Sequence, residues 1–143
     1  MAPSHVLVPL DGSPLAEEAL EHAFETFDCP ITVVNVVLPF DAPMSEGGLL
    51  GADDERLDAA REYAENVIKL AGERAAEADR PVEVIIETGD PADAILQVVE
   101  EQNVDHIVMG GHSEDTNRVA RRLLGTVATA VVGESPVPVT VVK

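Results

Sequence analysis

His5-Val6-Leu7-Val8-Pro9-Leu10-Asp11-Gly12-Ser13-Pro14 holds, in ten residues, an apolar run, a tight turn and the start of a helix. The run is short and rich in branched aliphatics, so it reads as strand 1. Ser13 is placed as an N-cap and Pro14 as the first helical residue, where proline's missing N–H and fixed φ are tolerated. From Leu15 to Phe27, Leu15, Ala16, Ala19, Leu20, Ala23 and Phe24 recur at helical spacing.

The same unit repeats along the chain. Ile31 to Val37 is β-branched and almost wholly apolar, as a strand covered on both faces should be. Residues 39–53 form the one long connection, with Pro43, Gly47, Gly48 and Gly51, and connections of this length are usually functional or mobile. A helix over 54–79 follows, striped by Leu57, Ala60, Ala64, Val67, Ala71, Ala75 and Ala78. Val82 to Thr88 is strand 3. Gly89-Asp90-Pro91 repeats the cap-then-proline start, with Asp93 suited to the helix dipole and Ala94, Ile95, Val98 and Val99 on the inner face. Val104 to Gly110 is strand 4, Val119 to Val132 the last helix, and Val137 to Val142 strand 5. Strands alternating with helices predict one α/β domain over residues 1–143, a doubly wound parallel sheet with helices on both faces.

Composition narrows the function. Asp and Glu total 27 against nine Lys and Arg, a formal net charge of −18. Such a surface repels nucleic acid, whose phosphates need clustered cations. The acids are interleaved with periodic apolar residues, so the chain is not a disordered acidic tail. This charge predicts adaptation to high salt, in the style of halophilic archaeal proteins, where screening relieves self-repulsion. Cys29 is the one cysteine, which excludes an internal disulfide and a multi-cysteine metal site. The sequence shows neither a membrane-length apolar segment nor a signal peptide, so the expected location is the cytoplasm.

Chemistry in such folds sits beyond the carboxyl ends of strands. Two of these ends are unusual: Pro9-Leu10-Asp11-Gly12-Ser13, and Val108-Met109-Gly110-Gly111-His112-Ser113 with the later Leu123-Leu124-Gly125-Thr126-Val127. Glycines and small hydroxyl residues let backbone N–H groups approach an anion. Over nearly its whole length the chain resembles the universal stress protein (UspA-like) family. The resemblance rests on Val6 to Ser13, on Gly89-Asp90-Pro91-Ala92-Asp93-Ala94-Ile95, on Asp105 to Gly110, on Leu123 to Ala128, and on Pro136-Val137-Pro138-Val139. It implies a flavodoxin-like, Rossmann-like sheet of order 3-2-1-4-5, a homodimer, and an adenine nucleotide such as ATP or AMP, with Mg2+ or Mn2+ entering only through the nucleotide. By the same resemblance Pro9, Asp11 and Val36 face the adenosine. The resemblance also matches Gly110, Gly125 and Thr126 to the family's phosphate loop and Arg121 to a frequent basic position, and Met109, His112, Ser113 and Val127 complete the candidate nucleotide-binding set.

The middle of that pattern departs from the family. Ser113 stands where a second glycine is expected, and eleven residues rather than nine separate it from Gly125. A left-handed backbone at Ser113 would cost roughly 1–2 kcal/mol. Arg118, Arg121 and Arg122 cluster before Gly125; they read either as a positive patch steering a polyphosphate or as partners of nearby carboxylates. Asp11, Ser13 and His112 are the residue types of a hydrolase triad, but the Gly-x-Ser-x-Gly elbow is missing and Ser13 reads as a helix cap. His5, His22 and His106 lack metal-ligand spacing. The expected function is a nucleotide-binding stress-response sensor with no catalytic residues. A dimer acting through partner contacts alone, and a weak ATPase or nucleotide hydrolase, are the alternatives. Pro136 to Val142 is an apolar edge strand that invites a symmetric partner, so a charge at Val139 or Val141 should weaken the dimer.

Overall fold

A computed structural model describes residues 3–37, 50–111 and 125–143, with side chains from residue 58 onward in the second stretch. Its strands are β1 (Val6–Pro9), β2 (Ile31–Val37), β3 (Val82–Thr88), β4 (His106–Gly110) and β5 (Val139–Val142). Among the described residues, the helices are α1 (Pro14–Thr26), α2 (Leu50–Glu77), α3 (Pro91–Glu101) and α4 (Thr126–Glu134). All strand pairs are parallel, in the order β3-β2-β1-β4-β5. The parallel sheet is the one expected from the alternating pattern, and its order is the flavodoxin-like one implied by the family resemblance. β1 is central, and the order reverses beside it, between β1 and β4.

The period-two alternation of β1 divides the core. Val6 and Val8 join Ala19, Leu20, Ala23, Ile31, Val33, Val67 and Ala71 on one face, under α1 and α2. Leu7 turns to the other face, with Val34, Ile95, Val98, Val99, Ile107 and Val131 under α3 and α4. Small alanines on α1 and α2 let those helices sit close to the sheet, which suits a chain with 3% aromatic residues. α1 and α3 start as expected: Ser13 Oγ accepts from the Ala16 N–H at 3.2 Å, and the Asp90 carboxylate accepts from the Asp93 N–H at 3.1 Å.

Three boundaries differ from expectation. α2 begins at Leu50 rather than Asp54 and ends at Glu77. Gly51 was placed in the connection, but a helical glycine costs only about 1 kcal/mol. Residues 39–49 of the expected connection lie outside the described residues. The last helix starts at Thr126 and runs to Glu134, because Gly125 is extended at φ −67°, ψ 168° and interrupts any helical run from Val119. Residues 119–124 are outside the described residues. β5 begins at Val139, two residues later than expected, after Pro136 and Pro138.

Candidate functional site

Beyond β1, the turn from Leu10 to Ser13 is held from several directions. The Leu10 N–H donates to the Val34 carbonyl at 2.8 Å, and buried Asn35 donates Nδ2 to the Leu10 carbonyl at 2.8 Å. The Asp11 carboxylate accepts from the Ser13 N–H at 2.9 Å, and the Tyr63 hydroxyl donates to the Asp11 carbonyl at 2.7 Å. Gly12 sits at φ +86°, a left-handed conformation that costs a side chain strain.

Beyond β4, Gly110 passes against the start of α1. A Cβ there would lie 3.0 Å from the Leu15 carbonyl carbon and 3.1 Å from the Ala16 nitrogen. Gly111 extends the sheet by donating to the Val142 carbonyl at 2.8 Å, and its own carbonyl accepts from the Gly125 N–H. That bond brings the two ends of the sequence pattern together across residues 112–124. α4 then begins at Thr126 with no side-chain cap. The first bond back to its cap is from the Thr129 N–H to the Gly125 carbonyl at 2.9 Å, so the amides of Thr126, Val127 and Ala128 precede the helix's own ladder.

Between these two ends lies a cavity of about 360 Å³. Pro9, Asp11 and Val36 line it from the β1 and β2 side, and Met109 and Gly110 line it from β4. Gly125, Thr126 and Val127 close it at the start of α4. Eight residues singled out in the sequence thus meet at one place, the reversal point of the sheet. His112, Ser113 and Arg121 lie outside the described residues. Sequence reading missed Val34 and Ile95, which add apolar wall, and Gly111. Val34 carries a findable signal, since it shares the face of Val36 two residues on. Asn35 and Tyr63, which hold the turn, carry none. Asp11 is the charged side chain among the described lining residues.

The described residues do not assemble the triad. Asp11 is committed to the Ser13 amide, and Ser13 Oγ caps α1. Burial pushes the Cys29 thiol up, away from nucleophilic reactivity. His106 and Asp105 lie at the amino end of β4, opposite the cavity. His106 Nε2 is 2.8 Å from Thr140 Oγ1, and burial lowers its pKa against an opposing pull from Asp105. Asp105 accepts from Ser4 Oγ at 2.7 Å and from the Ser4 and His5 amides, which hold its carboxyl down at about 2. Among the described residues, no group of three His, Cys, Asp or Glu is placed to hold a metal ion. No described helix is long and apolar enough to cross a membrane.

Comparison with known proteins adds an independent line. A universal stress protein of Methanocaldococcus jannaschii is 30% identical over 143 residues, covering 96% of this chain and 81% of the relative. The UspA structure from Lactobacillus plantarum superposes with a TM-score of 0.81 at 24% identity, over 100% of this chain and 99% of its own. A family protein of Arabidopsis thaliana, solved with AMP bound, gives a TM-score of 0.70 at 22% identity, over 99% and 92% of the two chains. The profile of the Universal stress protein family matches residues 3–143, and the chain belongs to that family.

Proposed function

We propose that the cavity binds an adenine nucleotide, AMP or ATP, and that the chain acts in the cytoplasm as a nucleotide-responsive stress sensor rather than as a strong catalyst. The observation that carries this reading is the uncapped start of α4. Its opening amides, which precede the helix's own ladder, and its positive dipole end line a cavity of about 360 Å³, large enough for a small-molecule ligand. Val34, Val36 and Ile95 offer the apolar wall a purine ring needs. Asp11 offers an acceptor for ribose hydroxyls, with one carboxylate oxygen already fixed by Ser13. The donor set fits an anion with an aromatic base. A divalent cation, Mg2+ or Mn2+, would be held by the phosphates of the nucleotide. The AMP bound to the Arabidopsis relative supports the same ligand class.

The test is direct. Purified protein is denatured and the supernatant assayed for released nucleotide; refolded or apo protein is then titrated with AMP and ATP by calorimetry in molar KCl. Micromolar binding that weakens at least tenfold in Asp11→Ala is expected. A folded protein that binds neither nucleotide ends the proposal.

A second reading, a homodimer working through partner contacts, is favoured by β5. It forms one edge of the sheet, and all four of its residues are only half-buried. Pairing of two such edges would complete their hydrogen bonding. The two readings are compatible, and nucleotide titration together with light scattering separates them.

A further inference from the structure

We propose that Tyr63 is a positioning residue for this cavity: from α2, its hydroxyl sets the conformation of the turn that aims the Asp11 carboxylate. Tyr63 does not itself line the cavity. It is 54% exposed, so burial does not account for where its ring lies. The hydroxyl donates to the Asp11 carbonyl at 2.7 Å. One residue earlier, Asn35 of β2 donates to the Leu10 carbonyl. Two successive carbonyls of the turn are therefore gripped by side chains from two different elements, while the Asp11 carboxylate grips the Ser13 amide from within.

Gly12 completes the fit. Its φ of +86° already favours glycine, and a Cβ there would stand on the Tyr63 hydroxyl and 2.9 Å from its Cζ. The phenol occupies the space that the missing side chain leaves. Elsewhere α2 meets the sheet through Ala64, Val67, Ala71 and Ala75. Among the described side chains of α2, Tyr63 reaches the turn beyond β1. The consequence is a link between the site and the exposed face of α2. A ligand that moves Asp11 must move the partner of Tyr63, and a shift of α2 must disturb Asp11. The ligand half of this inference rests on the nucleotide reading; the grip on the turn does not.

Tyr63→Phe keeps the ring and removes the donor, so two measurements decide the matter. In ligand-free protein, amide hydrogen exchange at Gly12 and Ser13 should quicken about fivefold, with α2 unchanged. By calorimetry in molar KCl, AMP should bind about 3- to 10-fold more weakly to the variant. Raising the pH until the phenol ionises should weaken AMP binding to the wild type and leave the variant flat, because a phenolate cannot donate. Tyr63 is the chain's one tyrosine and there is no tryptophan, so its own absorbance follows that ionisation. Equal exchange in the two proteins overturns the proposal, as does equal AMP affinity. Wild-type protein that binds no AMP would instead end the nucleotide reading, and the exchange comparison would still decide the role of Tyr63.

Discussion

At Gly110, fold and site compete for the same space. A methyl there meets Leu15 and the Ala16 nitrogen at 3.0–3.1 Å, and the backbone among those atoms cannot rotate away. Gly110→Ala should therefore lose about 1–3 kcal/mol in denaturant unfolding and weaken ligand binding. Gly72, inside α2 with nothing within 4 Å of its Cβ position, is the control. Gly72→Ala should gain about 0.5–1 kcal/mol. Equal effects at the two glycines would show that contact, rather than backbone freedom, is misjudged. The far end of β4 carries two groups whose titration the fold shifts. Asp105 is held at about 2, below its ordinary value of 3.8, first by the Ser4 hydroxyl and then by the Ser4 amide. A depressed carboxyl stabilises the fold above the unfolded value, and that contribution is lost as pH falls from about 4 towards 2. His106 is also depressed, by burial, so the fold favours its neutral ring and loses stability as pH falls below 6.5. Stability should decline in two stages on acidification. Asp105→Asn should flatten the lower stage and cost about 1 kcal/mol at neutral pH, since the site is only half-buried and screened by solvent. A pH–stability curve unchanged by that substitution would refute the assignment.

At the scale of elements, the proposed homodimer would rest on β5. Ile107 donates to the Pro138 carbonyl and Gly111 to the Val142 carbonyl, so the even-numbered residues of this strand face β4. The N–H groups of Val139 and Val141 therefore point away from the sheet. Their side chains lean on the core under α3 and α4, so a charge at either would damage the fold as well as any interface. Val141→Pro is the cleaner change, because it deletes an outward N–H and no bond to β4. By light scattering, wild-type protein should be dimeric and Val141→Pro monomeric; a dimeric proline variant would place the interface elsewhere. The same element scale shows what could be read in advance. Strand–cap–proline units at Ser13-Pro14 and Asp90-Pro91 marked two helix starts correctly, because capping is local chemistry carried by adjacent residues. The glycines at 110 and 125 and the acid at 11 were legible because glycine and a turn acid announce close backbone approach. The start of α2 was misread at Gly51, where a weak local penalty is overridden by a long helix. The start of α4 was misread because helical spacing in residues 119–124 says nothing about the extended backbone at Gly125. Asn35 and Tyr63 were invisible: their roles depend on a strand and a helix meeting one turn, 24 and 52 residues distant from Asp11.

Across the whole molecule the governing quantity is the net charge of −18. Among the described residues, local pairing relieves little of it. Arg74 bonds Glu17 and Glu21 on the surface, and such exposed pairs contribute about 0–1 kcal/mol. Arg80 spends its guanidinium on the carbonyls of Phe24 and Cys29 rather than on an acid. Self-repulsion thus remains to be screened by salt, and the thermal midpoint should rise as KCl is increased from 0.1 M to the molar range. The same field acts on a ligand. A nucleotide approaching the cavity meets repulsion that scales with its own charge: none for adenosine, more for AMP, most for ATP. Screening shortens from about 10 Å at 0.1 M to about 3 Å at 1 M, so salt should favour the phosphorylated ligands selectively. Binding of phosphates to basic sites shows the opposite trend, weakening as salt rises. Calorimetric titration of all three ligands at several KCl concentrations separates the two regimes, with adenosine correcting for salt effects on apolar contact. The ratio of ATP to adenosine affinity should climb about tenfold between 0.1 and 1 M. A ratio that falls instead would mean that direct pairing with Arg118, Arg121 and Arg122 outweighs the acidic surface. Arg121→Ala should then abolish the fall, and it should leave a rising ratio in place if the surface governs.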